Sequence, residues 1–401
     1  MRAKTTEYCG AVLDVSSAVL PGDDDPRRQL VRRWLSGHPS ATARELAESG
    51  YVAPHWPEPY GVNADPLLQL IVDDEFKRAG VTRPANPIGI GWAGPTLLFA
   101  GTEEQKKRYL PPMLAAEEIW CQLFPLRQSG SDLASLSTKA VRDGDEWVIN
   151  GQKIWTSGAH ESQFGILIAR TDTAMPKHRG ITYFICPMDA PGIEIRGITS
   201  MAGAASFNEV FFTDVRLPHA NIVGEVNDGW RLAKVTLGNE RVSLSSGGVL
   251  WGMGPSAADL VSIVRRGGGV ADATLRQRVA ALYTEHVILE LIRARTLTAR
   301  LRGEQPGPEA SIRKIIADEH GQRTMMLARD LIGAAAMLVG PTHDSTSLSA
   351  RSWYSGFLFS RALTIGGGTG EVQRNIIGEK VLGLPSEPDA TASVPYSLMP
   401  R

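Results

Sequence analysis

Glu146-Trp147-Val148-Ile149-Asn150 spaces its core-forming side chains by two, so Trp147 and Ile149 share one face, as in a strand and not a helix. The same reading extends to Gly165-Ile166-Leu167-Ile168-Ala169-Arg170, Thr182-Tyr183-Phe184-Ile185 and Glu209-Val210-Phe211-Phe212. Turn-forming groups separate these runs: Asp143-Gly144-Asp145, Asn150-Gly151 and Ala190-Pro191-Gly192. A strand-rich segment is therefore expected over 119–223.

Outward from it the spacing becomes helical. On the N-terminal side it covers 27–35, 41–48, 66–78 and 102–113, where Thr102 and Gln105 form a capping-box pair. On the C-terminal side it covers 230–249, 275–302, 308–338 and 371–382. The stretches 265–269 and 340–346 read as helix connections. Helices, then strands, then helices make an α+β chain, with a helical domain over 1–118, a β domain over 119–223 and a helical domain over 224–401.

A chain of 401 residues can bury more than one core. Lys+Arg 42 against Asp+Glu 43 leaves a net charge of −1, which argues against a nucleic-acid or anionic-membrane partner. Hydrophobic content of 43% with 21% charged residues fits a soluble globular protein. Cys9, Cys121 and Cys186 are scattered, without metal-ligand spacing, and suit a reducing compartment. No apolar run approaches the ~18 residues of a membrane span, and no apolar leader follows the N-terminus. A cytoplasmic protein is expected.

Three stretches carry chemistry. Ile365-Gly366-Gly367-Gly368-Thr369-Gly370-Glu371-Val372-Gln373-Arg374 is a glycine-rich turn entering an amphipathic helix, where N–H groups suit a phosphate or a carbonyl gaining negative charge. A permissive loop before a helix has the same composition. Gly238-Asn239-Glu240-Arg241 puts a carboxylate on an apolar helix, with Thr236, Ser243 and Gly247 near it in helical spacing. Beside the space those small residues leave, desolvation can raise a carboxyl into the range of a general base. A Glu paired to a neighbouring Arg is the other reading. Finally, Gly130-Ser131-Asp132-Leu133-Ala134 offers N–H groups and a hydroxyl, and Asn150-Gly151-Gln152-Lys153-Ile154-Trp155-Thr156-Ser157 offers an indole beside two hydroxyls. That pairing suits a flat aromatic cofactor, and equally a core Trp at a strand end.

Together with Trp56-Pro57-Glu58-Pro59-Tyr60-Gly61, Gly101-Thr102-Glu103-Glu104-Gln105-Lys106 and Phe211-Phe212-Thr213-Asp214-Val215-Arg216-Leu217-Pro218, these segments resemble the acyl-CoA dehydrogenase family in order and spacing, over about residues 48–385. The resemblance implies an N-terminal helical domain, a middle antiparallel β domain and a C-terminal four-helix bundle. FAD is expected between them, in a homodimer or homotetramer that passes electrons to an acceptor protein. In such enzymes a Glu takes the α-proton of an acyl thioester, on CoA or on a carrier protein, while the β-hydride moves to flavin N5. The product is a 2,3-enoyl thioester. The usual base position, immediately before the Gly-Thr of the C-terminal motif, is Gly367 here. A minority of the family carries the base on a bundle helix before an Arg, and Glu240-Arg241 matches that pattern. The resemblance thus implies Glu240 as base with Arg241 beside it, and the Gly367 N–H polarising the thioester carbonyl. It places Phe124, Ser131, Trp155, Thr156, Ser157, Gly368, Thr369 and Glu371 around FAD.

The chain departs from the family at one loop. Where the family has Thr/Ser-Glu-Pro-Gly-Ala-Gly-Ser-Asp, this sequence reads Pro125-Leu126-Arg127-Gln128-Ser129-Gly130-Ser131-Asp132. Pro125 brings neither a hydroxyl nor an N–H, so two flavin hydrogen bonds are expected to be lost. Residues 267–277 also lack the Arg-x-x-Phe-Gly that often holds the neighbouring subunit's cofactor. Three alternatives follow: a flavin-free acid/base enzyme for elimination, isomerisation or cyclisation, a subunit of a hetero-oligomeric dehydrogenase, and a flavin monooxygenase, which needs no α-proton base.

Overall fold

The computed structural model describes residues 20–124, 130–203, 205–246, 254–302, 307–338 and 351–399, with the backbone alone for 241–246, 300, 335 and 351. Cys9, Pro125, Leu126, Arg127, Gln128, Gly247 and the 340–346 connection lie outside the described residues, as does the side chain of Arg241.

The N-terminal part holds α1 (Pro26–Gly37), α2 (Ala43–Glu48), α3 (Pro66–Ala79), α4 (Gly94–Ala100) and α5 (Glu103–Leu114). Asp25 and Asp65 cap α1 and α3 ahead of a first-turn proline, and the Thr102/Gln105 capping box opens α5 as expected. Residues 89–100 are not among the stretches read as helical from sequence; Gly89, Gly91, Gly94 and Pro95 resemble breakers. In fact a π-helical turn, Gly89–Ala93, runs straight into α4. The glycine is there for contact: a Cβ on Gly94 would sit 2.3 Å from the Trp56 ring.

The middle sheet contains β1 (Trp120–Leu123), β2 (Lys139–Asp143), β3 (Glu146–Ser157), β4 (Phe164–Arg170), β5 (Ile181–Pro187), β6 (Ile193–Ile198) and β7 (Phe207–Pro218). Its order is β1-β4-β2-β3-β7-β6, with β5 on β4. The antiparallel pairing expected here joins β2 to β3, β3 to β7, β6 to β7 and β4 to β5. β1 joins β4 in parallel, and a single parallel bridge links β2 to β4. Asn150-Gly151 is not a turn. β3 continues through it with a register shift, and the Asn150 side chain exchanges two hydrogen bonds with Asp214, at 2.9 and 3.0 Å. Alternation sorts the strands between two cores: Ile166 and Ile168 face the N-terminal helices, while Leu167 and Ala169 join Trp147, Phe184 and Leu217 on the other side.

The C-terminal part holds α6 (Gly229–Ser246), α7 (Ala257–Arg266), α8 (Ala273–Leu301), α9 (Ala310–Ile332), α10 (Arg351–Phe359) and α11 (Gly370–Ile376). The sequence reading did not single out α7 or α10. Leu260, Leu282, Met325, Trp353 and Leu363 form the bundle core. α6 packs against β5, the π-helical turn, α4 and α9, and therefore lies where all three parts meet.

Candidate functional site

Glu240 stands on α6 at that junction and is only 8% exposed. The Gln122 amide of β1 reaches its Oε2 at 3.4 Å. One turn earlier, the Thr236 hydroxyl meets the Thr96 hydroxyl of α4 at 2.8 Å and the Tyr183 hydroxyl of β5 at 3.1 Å. All three of these residues are fully buried, and burial pushes the Tyr183 phenol above its ordinary range. The space expected beside Glu240 is therefore occupied at Thr236 by a closed set of hydroxyls. Ser243 belongs to the backbone-only part of α6.

Trp155 lies near the end of β3, with φ +61° and 57% exposure, and its indole meets the edge of Phe207 at 6.0 Å. The register shift between Lys153 and Thr156 produces this presentation, and Ser157 is exposed two residues on. Thr156 turns inward and is fully buried, and its hydroxyl has no hydrogen-bond partner among the described residues. Just before Trp155, buried Lys153 donates to the carbonyls of Phe124 at 3.2 Å and Ile168 at 2.8 Å. Burial, reinforced by the Arg170 guanidinium, holds its ammonium well below the ordinary lysine range. Lys153 thereby ties the residue after β1, the strand that carries Gln122, to the segment that carries Trp155. Phe124 is 1% exposed and packs edge-on against Tyr183 at 5.9 Å.

Ser131 is exposed at the start of its loop, beside Asp132. Burial raises the Asp132 carboxyl, but hydrogen bonds from Ser135 and Lys177 outweigh it and leave the group below its ordinary value. In the C-terminal part, Gly367 and Gly368 take φ +65° and +93°. Gln373 donates to the Gly367 carbonyl at 2.9 Å, and Lys314, ion-paired to Asp318 at 2.6 Å, donates to the Gly368 carbonyl at 3.1 Å. Lys314, Asp318 and Gln373 are all buried, so the glycine turn is gripped from the bundle side. Thr369 caps α11, and Glu371 is exposed in its first turn. The Glu371 backbone N–H and the Thr369 hydroxyl hold the Glu371 carboxyl below its ordinary range.

Family models match along the chain in order: acyl-CoA dehydrogenase N-terminal domain over 26–117, middle domain over 127–215 and C-terminal domain over 227–382. The chain belongs to the acyl-CoA dehydrogenase family. As a member it is an oxidoreductase of the acyl-CoA dehydrogenating class. The acyl-CoA dehydrogenase IpdE1 of Mycobacterium tuberculosis is 39% identical over 86% of this chain and 87% of its own length. The acyl-CoA dehydrogenase FadE34 of the same organism is 42% identical over 85% of this chain, which spans only 45% of that relative. Among solved structures, a Tcur3481-Tcur3483 steroid acyl-CoA dehydrogenase superposes with TM-score 0.74 at 31% identity, covering 93% and 95% of the two chains. The ChsE4-ChsE5 complex of Mycobacterium tuberculosis gives 0.70 at 32% identity, covering 90% and 98%.

Acyl-CoA dehydrogenases generally bind FAD, and the residues of this chain fit such a group. Thr156 Oγ1 and Gln373 Oε1 are buried oxygens without a partner among the described residues. They lie at the two segments named for the cofactor, where a polar ligand supplies donors. An exposed indole beside Ser157 adds an apolar wall. Among the described residues there is no cluster able to hold a metal and no helix long and apolar enough to cross a membrane. Sequence reasoning missed Gln122, Thr96, Tyr183, Lys153 and the Lys314–Asp318 pair. A polar Gln inside Trp120-Cys121-Gln122-Leu123 and a Lys on a half-buried strand were the available signals.

Proposed function

We propose that this chain forms a 2,3-enoyl thioester from a bulky acyl-CoA, with Glu240 as the α-proton base. One observation carries the reading: a nearly buried carboxylate at the junction of all three parts, with the Gln122 amide 3.4 Å from one of its oxygens. The Glu240 carboxylate takes the α-proton as the Cα–H bond breaks. The Gly367 N–H steadies the negative charge that builds on the thioester carbonyl, as an oxyanion donor does. When bound against Trp155 and Ser157, FAD supplies the acceptor for the β-hydride.

A steroid-bearing acyl group is the proposed substrate class, since a steroid acyl-CoA dehydrogenase is 31% identical over 93% of the chain. Assembly with a second, different chain belongs to the same reading. The two solved relatives carry paired names, and α8 exposes Ile288 and Leu291 on neighbouring positions, at 43% and 54%.

The test is anaerobic mixing of the FAD-loaded protein with steroid side-chain and straight-chain acyl-CoA thioesters. Bleaching of the flavin band by the former, lost in Glu240→Gln, is expected. Equal bleaching by that variant removes Glu240 from the role, and bleaching by straight-chain thioesters alone removes the substrate class.

A further inference from the structure

Arg170, the last residue of β4, is 2% exposed, and no hydrogen bond between it and a carboxylate is formed among the described residues. Its Nη1 donates to the Lys177 carbonyl at 2.7 Å and its Nη2 to the Ala134 carbonyl at 2.5 Å. The outer face of the guanidinium is covered by the Tyr396 ring, 4.0 Å from the guanidinium carbon. Its Nε is buried without a hydrogen-bond partner among the described residues, so carbonyls satisfy only part of the guanidinium edge and the aromatic face supplements them.

Tyr396 is itself fixed in place. Its N–H donates to the Met175 carbonyl and the Ser397 N–H to the Thr173 carbonyl, each at 2.9 Å, and Pro395 forms an antiparallel bridge with Pro176. The Tyr396 hydroxyl reaches the Ser135 carbonyl at 3.4 Å. This C-terminal segment therefore presses on residues 130–136, the loop that begins with Gly130 and Ser131. That loop is closed by Ser135 N–H to Asp132 and Leu136 N–H to Leu133 bonds, and Lys177 anchors its Asp132 at 3.0 Å.

We infer that Arg170 and Tyr396 are positioning residues for the Ser131 loop, so that the C-terminal segment sets how tightly the protein holds flavin. Arg170 acts through the Ala134 and Lys177 carbonyls, and Tyr396 acts through Arg170 and Ser135. The flavin consequence rests on the reading that places Ser131 at the cofactor. The brace itself does not.

The experiment compares full-length wild type with Tyr396→Ala, Tyr396→Phe and Tyr396→Leu, the last keeping apolar cover without an aromatic face. Amide hydrogen exchange is read at Ser135 and Leu136, and FAD affinity by titration of the apoprotein. Tyr396→Ala and Tyr396→Leu should exchange faster at both amides and bind FAD about tenfold more weakly. Tyr396→Phe should fall between wild type and Tyr396→Ala, because the ring remains over Arg170 while the hydroxyl contact to Ser135 is lost. A merely structural tyrosine lowers the melting temperature of the apoprotein without moving FAD affinity. Unchanged exchange in Tyr396→Ala and Tyr396→Leu overturns the brace whatever the flavin does. Faster exchange with wild-type FAD affinity overturns its link to the cofactor. A wild type that takes up no FAD at saturation overturns the cofactor reading, and exchange still decides the brace.

Discussion

The hydroxyls of Thr96 and Thr236 meet at 2.8 Å in the fully buried interior, and this contact joins α4 to α6 one turn before Glu240. With Tyr183 it forms a set linking the N-terminal helices, the sheet and the bundle. Thr236→Val keeps the volume and removes the central hydroxyl, leaving Thr96 and Tyr183 with fewer partners in a dry site. A loss of about 1–2 kcal/mol in unfolding free energy is expected by urea titration. A further expectation is that Thr96→Val/Thr236→Val costs less than the sum of the single changes, since the two share one bond. Strict additivity would show that the contact does not couple the helices.

Glu240→Gln should fold normally and bind an acyl thioester, because the change is isosteric and the Gln122 amide retains an oxygen to donate to. Turnover should fall by about a thousandfold or more if the carboxylate is the base. Thioester binding by calorimetry beside turnover separates the two effects. A drop in affinity with unchanged turnover at saturation would assign Glu240 to binding.

Lys153 is a buried amine whose folded-state pKa is depressed by burial and by Arg170. Between that depressed value and the unfolded value of about 10.4, the unfolded chain binds more protons than the folded one, so this group's contribution makes stability rise with pH. The contribution is complete above the unfolded value and lost as pH falls through the folded one. Lys153→Met removes the titration. Stability of the wild type relative to Lys153→Met should therefore increase from pH 6 to pH 9, whatever the fixed cost of stranding the Phe124 and Ile168 carbonyls. A constant difference across urea titrations in that range would mean that Lys153 is not shifted.

The architecture was legible because period-two and helical patterns are local properties. Trp147 and Ile149 announce a strand wherever β3 ends up, and Thr102 with Gln105 announces a helix start. Asn150-Gly151 misled the reading because a bulge opposite Asp214 uses the same residue types as a tight turn. The helical stretch before α5 was hidden for the converse reason, since Gly94 serves contact with Trp56 and not a bend. Glu240 could be nominated only through the resemblance, whose bundle-helix Glu-Arg pattern it matches. Its surroundings could not, because Gln122, Thr96 and Tyr183 come from three distant elements and only the folded chain brings them together.

The Lys314–Asp318 ion pair is almost fully buried, with side chains 1% and 6% exposed. Its ammonium also holds the Gly368 carbonyl, so two functions share one group: neutralising Asp318 and orienting the glycine turn. Lys314→Met alone removes the ammonium that neutralises a buried carboxylate and should cost about 3–5 kcal/mol. Lys314→Met/Asp318→Leu removes both charges, and most of that stability should return. Orientation should not return in full, because the Lys314 donor to the Gly368 carbonyl at 3.1 Å is gone and only the longer Gln373 contact to it at 3.4 Å remains, while Gln373 still grips Gly367. The double variant should therefore melt close to wild type yet turn over more slowly, with faster amide exchange in 366–370. Recovery of stability and turnover together would make the pair a structural filler, with the turn held by Gln373 alone.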